Sequence, residues 1–148
     1  MKKQKEKSGV GFKMTGIKTT QFAVVESAWK ESEKVNLKTN IRFEADKEHH
    51  AVAVTTKFEF VHRNKSFLIV EVSCSFAIEP GAWDSMCSTE GATCTLPRGF
   101  AMHLAVLTVG TARGVLHAKT ENTAFNRFML PTINLTELIE GDAELKLN

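Results

Sequence analysis

Phe100 to Ile139 reads FAMHLAVLTVGTARGVLHAKTENTAFNRFMLPTINLTELI, and how this stretch folds decides the architecture of the whole chain. From Phe100 to Leu116 the only charge is Arg113. Val106-Leu107-Thr108-Val109 and Gly110 have strand or breaker propensity, and two interior glycines cost a helix about 1 kcal/mol each. The run exceeds the usual strand length, however. Phe100, Leu104, Leu107, Thr111, Val115 and Ala118 recur at helical spacing behind Pro97 and Arg98. Periodicity therefore favours a helix and propensity a strand. After a polar turn at Thr120–Asn126, Phe128-Met129-Leu130 meets Pro131, which forces extended backbone before it. Asn134 is a helix-cap residue with Glu137 three places on, and Gly141 is placed to end a short last helix docked by Leu135, Leu138 and Ile139.

Upstream the period changes to two. Val35, Leu37, Ile41, Phe43 and Ala45 alternate with Asn36, Lys38, Asn40, Arg42 and Glu44, the pattern of a strand with one buried and one wet face. Val52, Val54, Phe58 and Phe60 continue it after the charged turn Asp46–His49. Leu68, Val70, Val72, Cys74, Phe76 and Ile78 repeat it after a polar connection at His62–Lys65. Gln21–Lys30, rich in Phe, Val and Trp, is the expected first strand. Short connections favour an antiparallel meander. Glu79-Pro80-Gly81 stops the sheet, and the chain to Pro97 is a long loop of small residues punctuated by Trp83, Met86 and Leu96.

The chain has 148 residues, enough for one domain with a real core, and a formal net charge of +2. Much of the positive excess lies in Lys2, Lys3, Lys5, Lys7 and Lys13, so residues 1–17 are expected to form a basic, disordered arm, 18–140 the domain and 141–148 a frayed tail. Lys38, Arg42, Lys57, Arg63 and Lys65 interleave with Glu44, Glu59 and Glu71, a solvated sheet face and no phosphate track. Nucleic acid is not an expected partner. Ser8–Phe12 lacks the apolar core of a signal peptide, and Phe100–Leu116 reads as too polar and too short for a membrane span. The expected location is the cytoplasm. Cys74 falls on an apolar strand face as a core thiol. Cys87 and Cys94 share the long loop, where pairing is open to them, but reduced cysteines are the expectation.

No catalytic or metal-binding pattern emerges. His49-His50 are adjacent in a turn, His62 ends a strand, and His103 and His117 stand fourteen residues apart, about four turns of helix. There is no His-Glu-x-x-His, paired Cys-x-x-Cys, nucleophile elbow or phosphate-cradling glycine loop. No enzyme activity, metal or cofactor is expected.

Apolar surface is the more informative resource. Ala101, Ala105, Thr108, Ala112 and Leu116 form a small-residue stripe along the helix that the spacing predicts, expected to be a helix–helix contact between subunits. Trp83, Met86, Leu96, Phe100, Met102, Phe128 and Met129 are candidates for a surface that binds apolar chains, because Met and aromatic side chains adapt to varied partners.

The order of elements, closed by Leu130-Pro131-Thr132-Ile133-Asn134-Leu135, resembles the export-chaperone SecB family, whose corresponding segment is of Leu-x-Pro-Val-Asn-Phe type with the proline one place later. Ala112-Arg113 matches an Ala-Arg pair in the family's long helix. The resemblance, over roughly Lys18–Glu140, implies an α+β fold: a four-stranded antiparallel sheet packed on one long helix at Arg98–Lys119, with a crossover at Glu79–Pro97 and a short C-terminal helix. It also implies an ATP-independent holdase that binds unfolded client polypeptides in apolar grooves for export, assembles as a dimer or dimer of dimers, and has the SecA motor as a candidate partner. The alternative it leaves is a dedicated chaperone or adaptor for one cognate protein, of the antitoxin-guarding kind. Departures from the family are the Val109-Gly110-Thr111 in place of Tyr-Pro-Tyr, the absence of tyrosine and a pI of about 8.5 where classical members are acidic.

Overall fold

The computed structural model describes residues 9–31, 34–88 and 90–147. Lys2, Lys3, Lys5 and Lys7 of the expected basic arm lie outside them. Four long strands, β1 (Phe12–Val24), β2 (Asn36–Asp46), β3 (Ala51–His62) and β4 (Lys65–Ile78), form an antiparallel sheet in the order β1-β4-β3-β2. Both hairpin turns use left-handed backbone: His50 has φ 47° between β2 and β3, and Arg63 and Asn64 have φ 46° and 62° between β3 and β4. Two consecutive positive φ values give the two-residue turn whose twist suits a hairpin.

The sheet buries one face. Val52, Val54, Phe58, Leu68, Val70, Val72, Cys74 and Phe76 on the central strands are fully buried, as their alternation requires. Above them lies α2 (Arg98–Thr120), which packs across β3 and β4. The helical alternative for this run is the one adopted, because its apolar and small residues fall on one stripe. Ala101, Leu104, Ala105, Thr108, Ala112 and Leu116 are all buried against the sheet. Alanines there let the helix lie close to the strands. This corrects the subunit-contact assignment of Ala101, Ala105, Thr108, Ala112 and Leu116: they have no free surface to offer a partner.

Several boundaries also move. The first strand is Phe12–Val24, not Gln21–Lys30, and it absorbs Lys13 and the end of the expected arm. Its register against β4 slips between Met14 and Gly16 and between Thr19 and Gln21, which breaks the two-residue period that would have marked it. Glu26–Ala28 is a 3₁₀ turn, and Trp29 beyond it enters an aromatic cluster with Phe67, Phe125 and Phe128 at ring separations of 5.1–6.3 Å.

The crossover is structured. A short helix, α1 (Pro80–Met86), starts on the proline and buries Trp83, whose ring stacks on His50 at 5.0 Å. Strands β5 (Cys87–Ser88) and β6 (Thr93–Leu96) follow, and β6 pairs with β7 (Ala143–Lys146) to make a second, three-stranded sheet. The expected frayed tail is therefore a strand: Ala143 and Leu145 turn inward while Glu144 and Lys146 stay in water. Leu147 bridges Ala45, joining this small sheet to the edge of β2. Cys87 and Cys94 stand directly opposite one another in the hairpin and are disulfide-bonded, overturning the reduced state expected. Cys74 is a free, buried thiol, as its strand face predicts.

The last helix, α3 (Leu135–Leu138), is a single turn capped by Asn134, whose side chain accepts from the Thr136 amide. It ends at Ile139, before Gly141. Arg98 ties this end to α2. Its amide donates to Asp142 Oδ1 at 2.8 Å, and its guanidinium donates to the carbonyls of Ile139 and Thr136. A carboxylate at the N-terminus of α2 also complements the helix dipole.

By length and composition α2 is long and apolar enough to cross a membrane, with a mean hydropathy of 1.3 over its best window. This corrects the expectation drawn from Phe100–Leu116 alone. The seat on the sheet accounts physically for much of that apolar content.

Candidate functional site

The positions of α2 turned away from the sheet are where apolar residues remain uncovered. Met102, Val106 and Arg113 recur at spacings of four and seven along one flank of the helix, with the buried Val109 between them. Opposite them runs the extended segment Leu130–Leu135, held straight by Pro131 and closed by the turn of α3. Between the two lies an open groove of about 310 Å³, lined by Val106, Val109, Arg113, Leu130, Ile133 and Leu135 together with Thr132. A narrow continuation shares Arg113 and Leu130 and runs on past His117 to Phe128 and Met129. Val106 at its upper lip is 55% exposed and Met129 at its lower end 65% exposed, so large apolar side chains are held in water at both ends.

Arg113 fixes the width of the groove. Its Nε donates to the Leu130 carbonyl at 3.3 Å and its Nη2 to the Pro131 carbonyl at 3.0 Å. These carbonyls belong to a segment with no strand partner, and an unpaired main-chain acceptor near the core is costly. The arginine thus satisfies the segment and spaces it from the helix. Lower down, Asn126 donates to the His117 carbonyl at 3.2 Å and contacts Thr120 Oγ1 at the same distance, closing the end of the helix.

The seven residues predicted to bind apolar chains separate into three groups. Trp83 and Leu96 are core residues, 3% and 0% exposed, because their side chains join the buried apolar cluster shared with the main sheet and α2. These two assignments are corrected. Phe100 is half-buried on the opposite flank of α2, where it packs edge-on against Phe12 at 5.6 Å, and Met86 is half-buried at the end of α1. Phe128 and Met129 line the groove's continuation, and Met102 lies one turn before Val106 on the same stripe. Phe128 is also anchored by Trp29, Phe60, Phe67 and Phe125, so one edge faces the groove and the rest the core. The sequence reading missed Val106, Leu130 and Ile133. The repeat at 102, 106 and 113, out of phase with the buried stripe, is the signal that would have found Val106.

Among the described residues no group of three His, Cys, Asp or Glu side chains is placed to hold a metal ion. In the β2–β3 turn an exposed pair, Asp46 and His49, 2.7 Å apart, departs from ordinary acidity.

No family model matches the chain, and no curated protein matches its sequence. Among solved structures it is similar to the SecB-like chaperone Rv1957 of Mycobacterium tuberculosis, in complex with a ChAD peptide from the antitoxin HigA1. That likeness has a TM-score of 0.47 and 16% identity, and covers 82% of this chain and 90% of the other. A protein of unknown function from Streptococcus agalactiae is similar at a TM-score of 0.40 and 15% identity, over 86% of this chain and all of the other. Likenesses this distant assign neither family nor activity.

Proposed function

We propose that this protein binds extended, apolar segments of other polypeptides in the groove between α2 and Leu130–Leu135, as an ATP-independent holdase of SecB-like design acting in the cytoplasm. The observation that carries the reading is the groove itself: a lining in which apolar side chains share the surface with polar groups, exposed Val106 and Met129 at its two ends, and a width set by the Arg113 clasp. An unfolded chain presents alternating apolar side chains that such a trough removes from water, at about 25 cal/mol per Å² buried. Each contact is weak, so retention relies on several protomers acting on one client.

Assembly uses the other flank of α2 in this reading. There β1 is an edge strand, Ile17 is 57% exposed, and Leu107, Thr111 and Val115 are half-buried. An unpaired strand edge beside an uncovered apolar strip is what a second copy covers. Service in protein export, and SecA as a partner, belong to the same proposal.

Val106→Asp and Met129→Asp test it by suppression of aggregation of a denatured model client without nucleotide. Loss of suppression with an unchanged oligomer mass supports the groove, and full suppression by both variants overturns it. The second reading, a dedicated binder of one cognate protein, draws on the fixed charge of Arg113 inside the groove, which selects where a purely apolar trough accepts. Competition by several unrelated unfolded proteins separates the two.

A further inference from the structure

The groove contains a cation with no anion. Arg113 lines both the main trough and its continuation, His117 lines the continuation, and no Asp or Glu is among the lining residues of either. Both hydrogen bonds of Arg113 go to neutral main-chain carbonyls, and no carboxylate pairs with it among the described residues. A guanidinium has five N–H donors, so about three are left over. Carbonyl dipoles orient the group without cancelling its charge. Beside apolar walls that charge is less well solvated than in open water, which raises its attraction for a carboxylate. The planar fork is also the geometry that carboxylates match best.

Resting on the groove as a polypeptide site, we infer that its preferred occupant is an apolar segment interrupted by one acidic side chain, whose carboxylate docks on the outward edge of Arg113. Charge complementarity argues for this occupant over a basic or purely apolar one. Val106 and Ile133 on one side and Met129 on the other take the flanking apolar side chains. Arg113 then has two roles on two edges: a clasp toward Leu130 and Pro131, and a specificity element toward the bound chain.

The test uses the full chain and two short fluorescent peptides, C-terminally amidated and apolar save for one central residue, glutamate in one and glutamine in the other. Anisotropy titration is expected to give at least about tenfold tighter binding of the glutamate peptide, the usual worth of a charge-assisted hydrogen bond. Arg113→Lys keeps part of that preference, and Arg113→Gln, which still donates to a carbonyl, removes it. Equal binding of the two peptides to the unaltered protein overturns the inference and leaves the groove standing. Binding of neither overturns the groove reading together with it.

Discussion

The two faces of α2 differ in fate far more than in composition. Toward the sheet, Ala101, Leu104, Ala105, Thr108, Ala112 and Leu116 are sealed; away from it, His103, Val106, Gly110 and Gly114 stand in water. None of these residues carries a formal charge, and both sets include small residues. The sealed face is small because strands approach closely there. The open face has glycines with nothing within 4 Å of where a Cβ would stand at Gly110 and Gly114. Helical apolarity by itself therefore says little about binding, and the informative apolar residues are those the fold leaves uncovered.

Paired substitutions test that difference most strongly. Leu104→Ala removes buried atoms at the centre of the sealed stripe and is expected to lower unfolding free energy by about 2–5 kcal/mol. Val106→Ala, half a turn away on the open face, is expected to cost less than about 1 kcal/mol. Chemical denaturation of both reads the contrast. Similar losses would mean that Val106 is covered in solution, and the groove would then be filled by the protein itself.

The crossover offers a second contrast, between an inner side that buries Trp83, Cys94 and Leu96 and an outer loop in water. Strand β5 is two residues long, so the Cys87–Cys94 bond does most to hold it on β6. Closing so short a loop is worth about 2–3 kcal/mol in the chain-entropy model. Reduction, or Cys87→Ser with Cys94→Ser, is expected to lower stability by that amount while leaving the main sheet's far-ultraviolet signature in place. Loss of the whole fold would show that the small sheet is a precondition for the large one.

Much of this architecture was legible because β2, β3 and β4 bury one face and wet the other, which writes a period of two into the sequence. Strand β1 was misplaced because its two register shifts scramble that period and because Lys13, Lys18, Thr19 and Thr20 look like an arm or a turn. The small sheet was missed because its inward residues, Cys94, Leu96, Ala143 and Leu145, are two and two on segments some fifty residues apart. Neither segment is periodic enough alone. By the fold, Met102, Phe128 and Met129, chosen by residue type, were left at or beside the groove. Trp83 and Leu96 were not, since chemical character identifies what favours an apolar contact and only the fold decides whether that contact is internal.

A smaller effect probes the open face again. Gly110→Ala and Gly114→Ala add a methyl group where nothing obstructs it and remove backbone freedom from the unfolded chain, so each is expected to stabilise the protomer by about 0.5–1 kcal/mol. Thermal melts at low protein concentration measure that gain, and sedimentation at high concentration measures assembly. A loss of stability on either substitution would mean that a second copy needs the bare backbone of α2, and the open face would join the sealed one.

The smallest effect sharpens the comparison between polar contacts in the same terms. Arg113 is half-buried and spaces two elements, whereas the Asp46–His49 pair stands in water at the β2–β3 turn. Its hydrogen bond to His49 holds the Asp46 carboxyl below its ordinary range, and the same bond, with the Asp46 and Glu48 charges, raises the His49 imidazole. The two signs differ. The Asp46 contribution is present above the carboxyl's unfolded pKa and is lost as pH falls through its lowered folded value. The His49 contribution is complete below the imidazole's unfolded pKa and is lost as pH rises through its raised folded value. The pair therefore supports the turn between those limits, in the mildly acidic range, and is absent at both extremes. An NMR titration is expected to place the His49 midpoint above the ordinary histidine value, and Asp46→Asn to return it there. Global stability should barely register either change, because solvent screens an exposed pair. An unmoved His49 midpoint in Asp46→Asn would show that the turn is held by its main-chain hydrogen bonds and its left-handed His50, with the side-chain pair incidental.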